Sequence, residues 1–175
     1  MKIQPERFNI YLLLVALGMG LCACHTSESG KKKELSTLRL HLEANPDGTG
    51  SSEAVPVFRE SPVLVNVEKT PFLTEANVAE AKLLDVMGGY AIQLQLDRRG
   101  SWLLDQYSAA NKGRRIAIFS QFGVPAQARW LAAPVLTQRI TNGFLVFTPD
   151  ATKEEAEGIV RGLNNVATQE QKHNL

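Results

Sequence analysis

The sequence predicts an α+β domain, with an antiparallel or mixed sheet and helices packed on one of its faces. Three observations lead there. Several short segments alternate apolar and polar residues, the mark of strands with one buried and one wet face. Others repeat apolar residues at helical spacing, and the two kinds follow one another irregularly rather than as a βαβ series. The clearest helix comes last: Thr152 and Glu155 make a capping box, and Ala156, Ile159, Val160, Leu163 and Val166 repeat along one face.

The chain opens on a segment that is an address rather than a structural element: Lys2 and Arg7, an apolar run over residues 10–20, then Leu21-Cys22-Ala23-Cys24. The apolar run falls short of the ~20 residues that a spanning helix needs. Leu-Cys-Ala-Cys resembles the lipobox of bacterial lipoproteins, with Cys22 an unusual second residue. The resemblance implies cleavage before Cys24 and a lipid on its sulfur, so that the protein is held to a membrane. The competing reading is an ordinary secretory signal that happens to contain two cysteines. His25 stands where an Asp would retain a lipoprotein at the inner membrane, which implies delivery to an outer membrane, facing the periplasm, where one exists. After cleavage Cys24 is the single cysteine left, so no intramolecular disulfide can form. The core must then stabilise the domain unaided, which ~130 residues can do by burying about two-thirds of the unfolded surface.

The organisation expected is a signal peptide over 1–23, a lipidated polar linker over 24–36, the α+β domain over 37–167 and a polar tail over 168–175. Lys31-Lys32-Lys33 in the linker could attract anionic headgroups at ~1 kcal/mol per residue or simply keep the linker solvated. A net charge of +1, with acids and bases interspersed, offers no basic face for nucleic acid.

Within the domain, residues 38–42 read as a strand with Leu38, Leu40 and Leu42 inward and Arg39 and His41 outward. Residues 45–54, rich in Gly, Ser, Asn and Asp, read as a long loop. Two β-prone runs, 55–59 and 63–67, flank Ser61-Pro62. Thr74 is expected to cap a helix over 75–85, with Val78, Ala81 and Leu84 on one side and Gly88-Gly89 ending it. Residues 90–97 alternate as a strand. Gly100-Ser101 then caps a helix over 102–110, which breaks at Asn111-Lys112-Gly113. Residues 114–122 and 129–136, joined by Gly123-Val124-Pro125, read as a strand and a second strand or extended loop; 144–147 is a strand after the Asn142-Gly143 turn.

No constellation of nucleophile and base, paired acid and base, or clustered metal ligands is legible, so no catalytic residue, metal or cofactor is expected. His25, His41 and His173 fall in linker, outward strand face and tail. Gly88-Gly89 lacks the spacing of a phosphate loop, and Glu154, Glu155 and Glu157 complement the positive end of the last helix.

The second half of the chain also carries an ordered set of short pieces. They run from Leu73-Thr74, Ala81 and Asp85 through Tyr90-Ala91-Ile92-Gln93-Leu94 and Gly100 to Asn111-Lys112-Gly113-Arg114-Arg115-Ile116-Ala117-Ile118. Ala133-Pro134-Val135, Ile140, Gly143, Phe147-Thr148, Glu154-Glu155-Ala156 and Leu163 follow. Their order and spacing resemble the periplasmic head subdomain of SecD, the accessory subunit of the bacterial protein-export translocon, over residues 63–167. The resemblance implies a non-enzymatic envelope protein that binds polypeptide, with Sec translocon components or exported chains as partners. A structural or assembly lipoprotein with one fixed envelope partner is the alternative, and an enzyme the third class. Two departures stand out. Residues 119–129 replace the tight Asp-Gly hairpin usual in SecD heads, and no later apolar segment is long enough to be a proton-driven membrane motor. Phe119, Phe122, Arg129 and Trp130 are the candidate partner contacts, since exposed aromatic and Arg side chains anchor partners; the competing reading is that the aromatics fill the core.

Overall fold

Period-two alternation and helical periodicity both reappear in the computed structural model, which describes residues 34–46, 48 and 50–173. These lie in the unit Lys33–Leu175. Cys24 and the Lys31-Lys32-Lys33 cluster fall outside the described residues.

The leucines of Thr37–Leu42 (β1) form the inner face of a strand at the middle of the first sheet. On one side β1 pairs with the short strand Leu73–Thr74 (β4); on the other it pairs with Ile116–Phe122 (β7), which pairs in turn with Gln127–Ala132 (β8). All pairings are antiparallel, in the order β4-β1-β7-β8. A second sheet joins Val78–Val86 (β5), Gly89–Leu96 (β6) and Phe144–Phe147 (β9), again antiparallel. Ser52–Val57 (β2) and Val63–Glu68 (β3) make a separate hairpin.

Two helices complete the fold, Arg98–Ala110 (α1) and Lys153–His173 (α2). The main core lies between the sheets and α2, where Leu38, Leu40, Leu94, Ile116, Ile118 and Ile159 are fully buried. The opposite face of the first sheet is covered by the hairpin, whose Val55, Val57, Val65 and Val67 pack on Ala117, Ala133 and Trp130. An α+β fold with antiparallel sheets is therefore what the residues build.

Several sequence expectations are corrected. The helix expected over 75–85 is a short 3-10 turn, Glu75–Asn77, followed by β5. The cause is a β-bulge: the ladder shifts between Val78 and Glu80, so Val78 and Ala81 both face the core although three residues apart. A bulge thus imitates helical spacing. Gly88-Gly89 is accordingly no helix stop but part of the β5–β6 hairpin turn, where Gly88 takes φ +85°.

α1 begins earlier than residue 102, because Asp97 rather than Gly100-Ser101 is its N-cap, its side chain accepting from the Gly100 N–H. The loop expected over 45–54 gives its last residues to β2. His41 does not face water: it is 6% exposed, its ring stands edge-on to Trp130, and its Nδ1 lies 2.7 Å from the Glu68 carbonyl. A carbonyl only accepts, so Nδ1 carries the proton.

The chain beyond Ala167 does not become a tail at once, since α2 continues to His173. Residues 34–36, expected in the linker, belong to the packed domain. Ser36 is buried against Gly162, and the Asn165 side chain donates to the Glu34 carbonyl at 2.8 Å. The capping box is as the sequence predicts: the Thr152 N–H donates to Glu155 Oε2 at 2.8 Å, and the Glu155 N–H to Thr152 Oγ1 at 3.2 Å.

Candidate functional site

The sequence-derived contacts do not form one surface. Strand alternation places Phe119 and Trp130 on the hairpin side of the first sheet, both half-buried, with ring centroids 5.3 Å apart. Phe122 lies on the other side, 3% exposed within the main core. The Arg129 guanidinium sits over the Phe122 ring, 5.1 Å from its centroid, and 2.9 Å from Glu155. The long 119–129 hairpin thus spends its aromatics on packing two opposite faces.

A different surface emerges where the two sheets meet. Ala132, Ala133 and Pro134 at the end of β8 face Val146 and Phe147 of β9 across an open groove of about 760 Å³. Val86 and Ala91 of the second sheet and Phe58 from the β2–β3 turn also line it. Its lining is apolar yet wet: Phe58 is 39% exposed, Val86 42% and Val146 50%. Neighbouring exposed apolar side chains of this kind mark binding surfaces more than isolated ones do.

Phe58 is held in place by its neighbours. Phe58 has φ +72°, a left-handed conformation that costs a bulky residue energy and persists where its surroundings impose it. The next residue supplies that constraint. The Arg59 N–H donates to Asp150 Oδ2 at 2.7 Å, and its side chain pairs with Asp150 at 3.3 Å and Glu155 at 3.7 Å. Asp150 is itself tied to β8 by its N–H donating to the Leu131 carbonyl at 2.7 Å.

Hairpin tip, β8, the β9 exit and the start of α2 therefore converge on Asp150 and Glu155. Burial pushes the Glu155 carboxyl up. The Thr152 N–H, the Arg129 hydrogen bond and the charges of Arg129 and Arg59 outweigh it and hold the carboxyl below its ordinary value. Tyr90, whose hydroxyl donates to the Ala151 carbonyl, is shifted upward by burial first and by Glu155 and Glu154 next. These groups brace the groove, which Asp150 also lines. Among the described residues no three His, Cys, Asp or Glu side chains come together as metal ligands.

Sequence reasoning missed the groove because its residues are ordinary strand residues. Phe58, Val86 and Val146 are drawn together only by topology. The one local signal was the polar link Arg59-Glu60-Ser61-Pro62 after Phe58, which marks a turn beside it.

With this geometry in place, comparison with protein families gives a match to the SecDF, P1 head subdomain, over residues 52–167, more than half the chain. The chain belongs to the SecDF P1 head family. The fold of this head domain is likewise similar to solved SecDF structures. One, of SecDF as a membrane component that enhances protein export, shares 18% identity and a TM-score of 0.52, over 93% of this chain and 70% of that one. Another, of SecDF in a super-membrane-facing form, shares 20% identity and a TM-score of 0.51, over 75% of this chain and 19% of that one. The head domain is thus a fraction of the longer protein. Comparison with curated proteins gives no match. Among the described residues, no helix is long and apolar enough to cross a membrane.

Proposed function

We propose that this SecDF head domain is a non-enzymatic, polypeptide-binding module of the cell envelope, tethered by a lipid on Cys24 and acting on chains during or after export. The observation that carries the reading is the groove. It is open, apolar and about 760 Å³ in volume, which suits several side chains of an extended segment. Membership of a SecDF family supports the link to export, and the lipobox-like Leu21-Cys22-Ala23-Cys24 supports the tether. Exposed apolar strand residues suit a binder that accepts many sequences, because burial is non-directional.

The test is binding of a permanently unfolded polypeptide, reduced and carboxymethylated α-lactalbumin, to the full-length chain, followed by fluorescence anisotropy. Val86→Glu and Val146→Glu place charges in the groove and are expected to weaken binding at least tenfold. Gln106→Glu, on the exposed side of α1, should leave it unchanged. Equal binding by all four proteins would remove the groove from the account. Absence of binding by the unaltered chain would remove polypeptide binding itself.

A further inference from the structure

The edges of the two sheets that border the groove have unused hydrogen-bonding groups, and the antiparallel alternation says which ones. The Leu96 N–H donates to the Gly143 carbonyl at 2.9 Å, on the register that pairs Gln95 with Phe144. Hydrogen-bonded pairs alternate with non-bonded ones along an antiparallel ladder. Leu94 with Leu145 and Ile92 with Phe147 are therefore the bonded pairs, while the N–H and C=O of Phe144 and Val146 point away from β6.

Two observations agree with this parity. The Phe144 N–H is taken by the Asn142 side chain at 3.1 Å. On the far edge of the same sheet, Ala81, opposite Leu94, has both its N–H and C=O bonded to the Asn164 side chain, at 2.8 and 3.0 Å. The β5 edge is thus closed at Ala81 by a side chain from α2. The β9 edge at Val146 has no such cover among the described residues, and half of Val146 is exposed.

The facing edge repeats the pattern. Beyond β8 the chain bridges Arg115 to Val135, with the Ile116 N–H donating to the Pro134 carbonyl and the Leu136 N–H to the Arg114 carbonyl, at 2.9 and 2.8 Å. Those flanking bonds make Arg115–Val135 a non-bonded pair, so the Val135 N–H and C=O point outward, away from β7. Val135 and Val146 line one small cleft of about 150 Å³, which adjoins the larger groove through Pro134 and Val146. Two sheet edges, each with a free amide and carbonyl, thus border the same opening.

We infer that the groove takes its polypeptide as an added β-strand, hydrogen-bonded to Val146 and the Phe144 carbonyl of β9 on one side and to Val135 on the other. This rests on the proposed polypeptide binding and specifies its form. The occupant is an extended segment of at least four residues. It is recognised through its backbone, with one row of side chains beside the exposed Val146 and little demand on sequence. A helical segment keeps its amides for itself and is excluded. Such an insertion would also join the two sheets at an edge that the protein otherwise leaves unpaired.

The test uses a fluorescein-labelled octapeptide, Lys-Val-Thr-Val-Thr-Val-Thr-Lys, and the same peptide N-methylated at alternate residues, in two versions that block either set of outward amides. With the full-length chain, both methylated versions are expected to bind at least tenfold more weakly, because each loses the amides that face one of the two edges. Val146→Pro, which removes an N–H that β6 does not use, should produce a similar loss while the circular dichroism spectrum is unchanged. Equal affinity for the methylated and unmethylated peptides would overturn strand addition while leaving groove binding intact. Failure of every peptide and of unfolded α-lactalbumin to bind would instead overturn the polypeptide-binding reading beneath it. Should Val146→Pro fail to fold, the peptide pair alone decides.

Discussion

Gly162 and Gly158 lie four residues apart on α2, are both buried, and should respond to alanine in opposite ways. In a free helix each Gly→Ala change stabilises by about 1 kcal/mol. At Gly162 an added Cβ would stand 2.6 Å from the Ser36 backbone nitrogen and 2.7 Å from its Cβ. A backbone atom cannot swing aside, so either residues 34–36 lift off the helix or the helix shifts, an overpacking cost of about 1–3 kcal/mol. With the clash on main chain the cost should fall near the top of that range, and the net effect is a loss of about 2 kcal/mol.

At Gly158 the nearest atom is Glu34 Oε1 at 3.2 Å, the far end of a flexible side chain. Gly158→Ala should therefore be neutral or stabilising by up to about 1 kcal/mol. Urea unfolding followed by circular dichroism resolves both, as midpoint shifts of opposite sign at unchanged slope. If Gly162→Ala matches or exceeds the parent in stability, the packing of residues 34–36 on α2 is wrong, and with it the point where the linker meets the domain.

Other consequences can be checked the same way. Asn164→Leu should destabilise by about 2–3 kcal/mol, since it leaves the part-buried Ala81 N–H and C=O unpaired, and Asn164→Asp, which keeps an acceptor, should cost less. Phe58→Gly should be close to neutral in urea unfolding, relief of the left-handed strain offsetting lost backbone entropy, whereas Phe58→Val should cost about 1–2 kcal/mol. Because the folded Glu155 carboxyl is held below its ordinary 4.5, its contribution is present above that pH and is lost as pH falls through the folded value. The stability gap between the parent and Glu155→Gln should therefore be open at neutral pH and close in acid, as read by urea midpoints across a pH series. Cys24→Ser should abolish incorporation of labelled palmitate in cells and move the protein from the membrane to the soluble fraction.

Legibility in the sequence followed the physics of each element. Strand 38–42, the strands around 90–97 and 144–147 and the capping box at Thr152 could be read because local periodicity and capping chemistry suffice for them. The segment after Asn77 could not, since a one-residue bulge moved Ala81 onto the core face and counterfeited a helical period. His41 was misplaced because a residue outward from one sheet is inward to the hairpin that covers it, and no local pattern announces that cover. The aromatics of 119–129 were legible as a departure from the family pattern, but the faces they occupy depend on strand parity and on Glu155 from a distant helix. The groove was the least legible part. Its members come from five separate stretches, and its free edges exist only through register.

The most direct test of the central claim is photo-crosslinking in intact cells, with a photoreactive residue at Val146 in the groove and another at Gln106 on α1. A ladder of many exported polypeptides, with or without translocon subunits, is expected from Val146 alone. A single crosslinked envelope protein would indicate a fixed assembly partner instead, and identical patterns from the two positions would contradict the groove as the binding site.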